Sequence, residues 1–170
     1  MPYNVLNMTI NDIIKEFKNL ENQIIKKDLE IEKLKSKSEE LLDYTYYRIT
    51  FDGSSNKSTT PGYWSFKIIE KNGAILQQSG TLKTSKVNRI RLFSLLEAIK
   101  IFRSEYGETI PFTIEVNNRS LMIILEKYMW NYSDNNWKNS RGGEPDDIDL
   151  LKELVNQLKY SNFKLEYVEY

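Results

Sequence analysis

The 170-residue sequence contains no cysteine and no histidine. Without cysteine, the protein has no disulfides, no thiolate metal sites and no cysteine nucleophile. Without histidine, it has no serine-histidine or cysteine-histidine catalytic arrangement and no imidazole metal ligand. Any metal must therefore be held by oxygen atoms, which restricts the choice to Mg²⁺, Mn²⁺ or Ca²⁺.

Long apolar runs are also missing. The longest strictly apolar run, residues 121–125, is far shorter than the roughly 20 residues that cross a bilayer, and no secretory leader pattern occurs. We therefore expect an intracellular, soluble protein with no membrane partner, in either the cytoplasm or the nucleus. With 40% hydrophobic and 12% aromatic residues, the chain has enough apolar surface for one folded domain with an appendage.

Neither sign of charge is in excess overall, but the charges are unevenly placed. Residues 1–43 carry a net −2, residues 44–141 a net +6 and residues 142–170 a net −4. A basic middle section permits an anionic partner such as nucleic acid.

Residues 1–43 are predicted to form an oligomerisation helix. Residues 9–43 contain no glycine or proline, and Thr9 with Asp12 resembles a short capping box. A heptad frame fits for about five repeats, with eight of its ten a and d positions apolar, which is typical of a coiled coil. These eight are Ile10, Ile13, Phe17, Leu20, Ile24, Ile31, Leu34 and Leu41, and Lys27 and Ser38 fill the other two. The alternative is a long amphipathic helix that packs on its own domain.

Residues 44–170 are predicted to form a mixed α/β domain in the order β-β-β-α-β-α-α-β. Tight turns and helix ends are indicated by the glycines at Asn72-Gly73 and Gly107. The predicted strands are 44–51, 63–70, 74–82, 112–116 and 163–170, and the predicted helices are 86–106, 120–132 and 147–160.

Five short segments within this domain occur in a recognisable order. They are YRITFDGS at 47–54, NRIRL at 88–92, VNNR at 116–119, WKNS at 137–140 and LEYV at 165–168. Together with the element order, they resemble the type 1 ribonuclease H family over about residues 46–170. The resemblance implies a ribonuclease H-like mixed five-stranded sheet with flanking helices, preceded here by the long N-terminal coiled-coil helix.

The same resemblance implies that the catalytic apparatus is degenerate. The family holds two Mg²⁺ ions with four acidic residues. The first position is Asp52, but the second falls on Arg91 and the third on Asn117, and the fourth would lie beyond the fifth strand, where the printed sequence stops at Tyr170. We therefore expect no functional catalytic residue, no metal and no cofactor, and an ion pair between Asp52 and Arg91.

The sequence also permits two other interpretations. Glu115, two residues before Asn117, shares its face of the strand and could form a displaced one-metal site with Asp52. In that case the protein would be a divergent nuclease that needs Mg²⁺ or Mn²⁺. Otherwise the fold could act as a scaffold for protein partners, with Tyr128, Trp130, Tyr132 and Trp137 either as anchors or as core residues.

The favoured function is binding of an RNA–DNA hybrid or another duplex without cleavage. The family grips its duplex at the start of the first domain helix and at the tryptophan-lysine loop, and both regions are basic here. The candidate nucleic-acid-binding residues are Lys83, Lys86, Asn88, Arg89, Trp137 and Lys138. No acidic residue occurs between Glu70 and Glu97, which leaves this stretch positively charged.

Overall fold

The computed structural model describes residues 9–40, 43–56 and 60–169, without the side chains of residues 36–40. The chain divides into two compact units, Met1–Leu42 and Asp43–Tyr170. Two predicted heptad positions, Ser38 as a side chain and Leu41 entirely, lie outside the described residues. Within the described part of the chain, no helix is long and apolar enough to cross a membrane.

The first unit contains helix α1, Ile10–Glu40. The predicted capping box is confirmed, because Thr9 Oγ1 accepts a hydrogen bond from Asp12 N at 3.3 Å and Asp12 Oδ2 accepts one from Thr9 N at 3.0 Å. These bonds with Thr9 lower the pKa of Asp12. Large apolar side chains along α1 are between 48% and 77% exposed. They are Ile10, Ile13, Ile14, Phe17, Leu20, Ile24, Ile25, Leu29, Ile31 and Leu34.

The second unit is built on a five-stranded mixed sheet, as predicted. Its strands are β1 Tyr47–Ser54, β2 Gly62–Glu70, β3 Ile75–Leu82, β4 Phe112–Val116 and β5 Phe163–Tyr167. The sheet order is β3-β2-β1-β4-β5. The first three strands pair antiparallel, whereas β1 with β4 and β4 with β5 pair parallel. The parallel pairs require the helical crossovers that the alternating part of the sequence supplies.

The first strand lies three residues later than predicted. Residues 44–46 form a turn and bend, and the strand continues through Asp52 to Ser54. The partner strand sets this boundary, because β2 ends at Glu70, which pairs with Tyr47. The next residue, Lys71, already belongs to the hairpin turn and donates its N–H to Tyr46 O at 2.8 Å. The predicted hairpin itself is confirmed, with Gly73 at φ 91°.

The helices of this unit follow the predicted order but differ in length. They are α2 Val87–Tyr106, α3 Arg119–Ile123, α4 Met129–Asp134 and α5 Ile148–Leu158, and a π-helical turn, Ile124–Tyr128, joins α3 to α4. The helix predicted at 120–132 is therefore interrupted by this wider turn. Gly107 ends α2 at φ 103°, as expected.

One hydrophobic core joins the sheet to these helices. The alternate β1 residues Ile49 and Phe51 belong to it, together with Leu95 and Phe102 of α2 and Leu154 of α5. Because side chains alternate along a strand, Asp52 lies on the sheet face opposite this core.

Candidate functional site

Asp52 and Arg91 meet where β1 ends against the first turns of α2. Gly53 permits this close approach, since a Cβ at residue 53 would lie 2.7 Å from Ile90 Cγ2 and 2.8 Å from Arg91 N. Arg91 Nε donates to Asp52 Oδ1 at 3.3 Å, and Gly53 N donates to the same oxygen at 2.8 Å. The predicted ion pair between Asp52 and Arg91 is thus confirmed.

The other acidic candidate, Glu115, takes part in a separate ion pair. The parallel register places Glu115 opposite Thr50, two residues before Asp52. Its carboxylate is 9% exposed and accepts a hydrogen bond from Arg48 Nη1 at 2.9 Å. Asn117 follows β4 and is exposed, and its side chain is neutral.

The donors around Asp52 do not fit the pair of divalent ions that the resemblance implies. Mg²⁺ and Mn²⁺ prefer several carboxylate or carbonyl oxygens. Here the carboxylate of Asp52 is bonded to a guanidinium, and Glu115 is bonded to another. Among the residues that the structure describes, no group of three or more acidic side chains could hold a metal ion.

Arg89, a predicted nucleic-acid-binding residue, makes ion pairs within the domain. Its Nη1 and Nη2 donate to Asp149 Oδ1 and Oδ2 at 2.8 and 2.5 Å, and Nη1 also donates to Asp147 Oδ1 at 3.1 Å. These bonds raise the pKa of Arg89, and the bond from Arg89 lowers the pKa of Asp149 to about 2. The fork of Arg89 therefore ties the start of α2 to the start of α5.

This pair predicts a measurable dependence of stability on acid. Because Asp149 has a folded-state pKa below its unfolded value near 4, its contribution is complete above about pH 4 and is lost as the pH falls towards 2. We expect Asp149→Asn to cost about 1 kcal/mol of unfolding free energy near pH 7, after allowance for the solvent exposure of the carboxylate, and less near pH 3. Urea denaturation at both pH values measures this.

Asp146→Asn provides the matched control. Asp146 is exposed, and the described residues give it no ion pair. Its replacement is expected to leave stability unchanged at both pH values. An equal loss in the two variants would contradict a special role for the Asp149–Arg89 pair.

The remaining candidates near α2 present their side chains to solvent. Lys83, Lys86 and Asn88 are all exposed. Lys86 is the N-cap of α2 without a side-chain capping bond, and the first turn of α2 contains no acidic residue. The helix dipole adds to the positive charge of the lysines at this end.

The second candidate region is the loop after α4. Trp137 adopts φ 60° and donates its N–H to Tyr132 O at 2.6 Å. Its ring packs partly against the core and lies under Lys152 Nζ, 5.6 Å from the ring centroid. Lys138 is exposed. Trp137 therefore has one ring face already in contact with a cation.

A groove of about 710 Å³ includes the first of these two regions, the start of α2. Lys86 and Asn88 line it at the start of α2, and Tyr128 and Tyr132 also line it. The two tyrosine rings stack at 6.1 Å, and Tyr128 is 44% exposed. Lys83, Trp137 and Lys138 lie outside the groove lining.

The sequence did not assign the two tyrosines to a site with Lys86. A spacing of four residues on a helix predicts that Tyr128 and Tyr132 share a face. It does not predict that the start of α2 lines the same groove, because more than 40 residues of sequence separate Lys86 from Tyr128. The acidic residues Asp146 and Asp147 also line the groove, and Asp147 is paired with Arg89.

Comparison with known proteins supports one family. No family model matches the chain. The ribonuclease H of Caldicellulosiruptor saccharolyticus is 31% identical over 121 residues, which cover 69% of this chain and 79% of the relative. The ribonuclease H of Prochlorococcus marinus is 27% identical over 119 residues, which cover 69% of this chain and 72% of the relative.

Solved structures show the same fold at lower identity. The foamy viral protease-reverse transcriptase in complex with double-stranded DNA aligns with a TM-score of 0.64 and 14% identity, over 72% of this chain and 81% of that one. The ribonuclease H1 called LC11, in complex with an RNA/DNA hybrid, aligns with a TM-score of 0.54 and 14% identity, over 72% of this chain and 85% of that one.

Proposed function

Because the chain belongs to the ribonuclease H family, we propose that it is a non-catalytic member that binds an RNA–DNA hybrid or another duplex. We further propose that it self-associates through α1 as a coiled coil. The observation that carries the first proposal is the ion pair of Asp52 with Arg91 at the family's first and second acidic positions.

Loss of cleavage is supported by the charges around Asp52. A two-metal reaction needs ligands that offset about four positive charges. Arg91 instead brings a further positive charge to within hydrogen-bond distance of Asp52. Asn117 at the family's third acidic position supplies no charge. This set of side chains suits a stable domain better than a metal-dependent active site.

Duplex binding is supported by exposed polar and basic side chains, two of which, Lys86 and Asn88, line the groove. Lys83, Lys86 and Lys138 are exposed cations that could contact phosphates, and Asn88 is an exposed amide at the same helix start. The tyrosines offer flat apolar surface in the same groove as Lys86. The solved structures similar to this chain include a complex with an RNA/DNA hybrid and one with double-stranded DNA.

Charge reversal at the groove tests duplex binding. We expect Lys86→Glu to weaken hybrid binding about tenfold and to lower the slope of log affinity against log salt concentration by about one, because a phosphate contact is lost. Fluorescence anisotropy with a labelled hybrid at several salt concentrations measures both quantities. Arg89 is unsuitable for this test because its replacement would break the pairs with Asp147 and Asp149.

Lys159→Glu is the matched control. Lys159 caps the C-terminal end of α5, whereas Arg89 links the opposite end of α5 to the start of α2. The same change of charge there is expected to leave binding nearly unaltered. Equal effects of the two substitutions would show that binding depends on overall charge and would contradict a defined site.

A scaffold that binds proteins is the second candidate function. It is favoured by Ile123, which lines the groove and is 44% exposed, as is Tyr128. An apolar partner would bind such a surface with little dependence on salt. Binding of nucleic acid that weakens steeply with salt therefore separates the two functions.

A further inference from the structure

The guanidinium of Arg91 is hydrogen-bonded through Nε only, and its two terminal nitrogens are unbonded within the described residues. Its Nε donates to Asp52. Among all the residues that the structure describes, every fully buried side-chain nitrogen or oxygen has a hydrogen-bond partner. The terminal amino groups must therefore be accessible to solvent, although the side chain as a whole is only 22% exposed.

The surrounding structure fixes the direction of this side chain. The backbone of Arg91 packs against Gly53, and Asp52 is itself held by the N–H of Gly53. A side chain that is largely buried and bonded at Nε loses little further conformational freedom when its terminal groups bind a ligand. The planar fork of arginine matches the oxygens of a phosphate group, which a lysine ammonium does not.

The segment of sequence around Arg91 carries a net positive charge, which favours an anionic ligand. No acidic residue lies between Glu70 and Glu97 in the sequence, and Lys83 and Lys86 are exposed just before Arg91. Arg89 is bonded to two carboxylates, those of Asp147 and Asp149, whereas Arg91 is bonded to one, so Arg89 competes less for the same anion. Arg91 is thus a positioned cation that is bonded to a single carboxylate.

We propose that the terminal amino groups of Arg91, oriented by Asp52, bind a backbone phosphate of the nucleic acid. This inference rests on the proposed function, because it names one contact of the same duplex-binding surface. The guanidinium supplies at this place the positive charge that divalent ions supply in a metal-dependent site. Binding of the hybrid is consequently independent of divalent cations.

The test compares the full-length protein with Arg91→Gln, Arg91→Lys and the control Lys159→Gln, using a labelled RNA–DNA hybrid. The affinity of each protein for the hybrid is measured in two buffers of matched ionic strength, one with EDTA and one with Mg²⁺. We expect Arg91→Gln to bind about tenfold more weakly and to lower the salt slope by about one. We expect Arg91→Lys to keep the salt slope but bind more weakly than the parent, and Lys159→Gln to match the parent. The parent should bind equally in EDTA and in Mg²⁺.

The outcomes separate this inference from the proposed function. If the parent binds the hybrid but Arg91→Gln binds as tightly as Lys159→Gln, the phosphate contact at Arg91 is refuted and duplex binding stands. A parent that binds only with Mg²⁺ also refutes it. If the parent binds no hybrid under either condition, the proposed function itself is wrong.

Discussion

Incubated with an RNA–DNA hybrid and Mg²⁺ or Mn²⁺, the protein is expected to leave the RNA strand uncut. The expected rate is at least about a thousandfold below that of an active ribonuclease H assayed in parallel, because the charges that stabilise the transition state are missing. The carboxylate of Asp52 is bonded to Arg91, and that of Glu115 is bonded to Arg48.

Electrostatics gives the scale of this effect. A divalent ion about 5 Å from a guanidinium is repelled by about 7 kcal/mol at an effective dielectric constant near 20. Mg²⁺ also gives up its bound waters reluctantly, so one carboxylate that is already paired does not hold it. The repulsion from Arg91 therefore offsets much of the attraction that Asp52 alone offers to a divalent ion.

A denaturing gel of the labelled RNA strand measures the reaction directly. Cleavage that requires Mg²⁺ and disappears in Asp52→Asn, but persists in Lys159→Gln, would overturn the non-catalytic proposal. In that event Glu115 would be the next residue to replace, since it is the acidic side chain on the neighbouring strand β4.

The fold was predictable where short-range signals determine it. Thr9 with Asp12 begins α1, Asn72-Gly73 makes the hairpin and Gly107 ends α2, and each acts through its own backbone geometry or a bond to a near neighbour. The order of the motifs then predicted the five-stranded mixed sheet, and all five expected strands are present.

Strand boundaries depend on partners that the sequence does not reveal. The aromatic residues at 44–47 favour a strand by propensity, yet the strand begins at Tyr47 because β2 ends opposite it at Glu70. The π-helical turn Ile124–Tyr128 interrupts a segment whose apolar spacing predicts a regular helix, and nothing in the structure explains it.

The site was predictable only in part. The pair of Asp52 with Arg91 followed from the order of two motifs that the family brings together, and the structure confirms it. The pairs of Arg89 with Asp147 and Asp149 span about 60 residues of sequence, and no local pattern marks them. Arg89 was predicted to bind nucleic acid from the resemblance and from the basic stretch around it, and neither signal reveals such distant partners.

The second large effect is expected on assembly. Ile24→Asn should convert an oligomer of the full-length protein to monomer over a wide concentration range. Ile24 is 59% exposed in α1 and occupies an a position of the predicted heptads. Its burial in a two-chain seam is worth about 2 kcal/mol per chain, so its loss from both chains weakens dimerisation about a thousandfold.

Size-exclusion chromatography with light scattering measures the mass of each variant. Lys26→Asn is the matched control, since it introduces the same residue two positions along α1 on an exposed polar site. We expect Lys26→Asn to keep the mass of the parent, because helix propensity changes by only a few tenths of a kcal/mol. A parent that is already monomeric would contradict the coiled coil. An unchanged mass for Ile24→Asn, with a lower melting temperature, would instead favour a helix that packs on its own domain, because the exposed seam would then have an intramolecular partner.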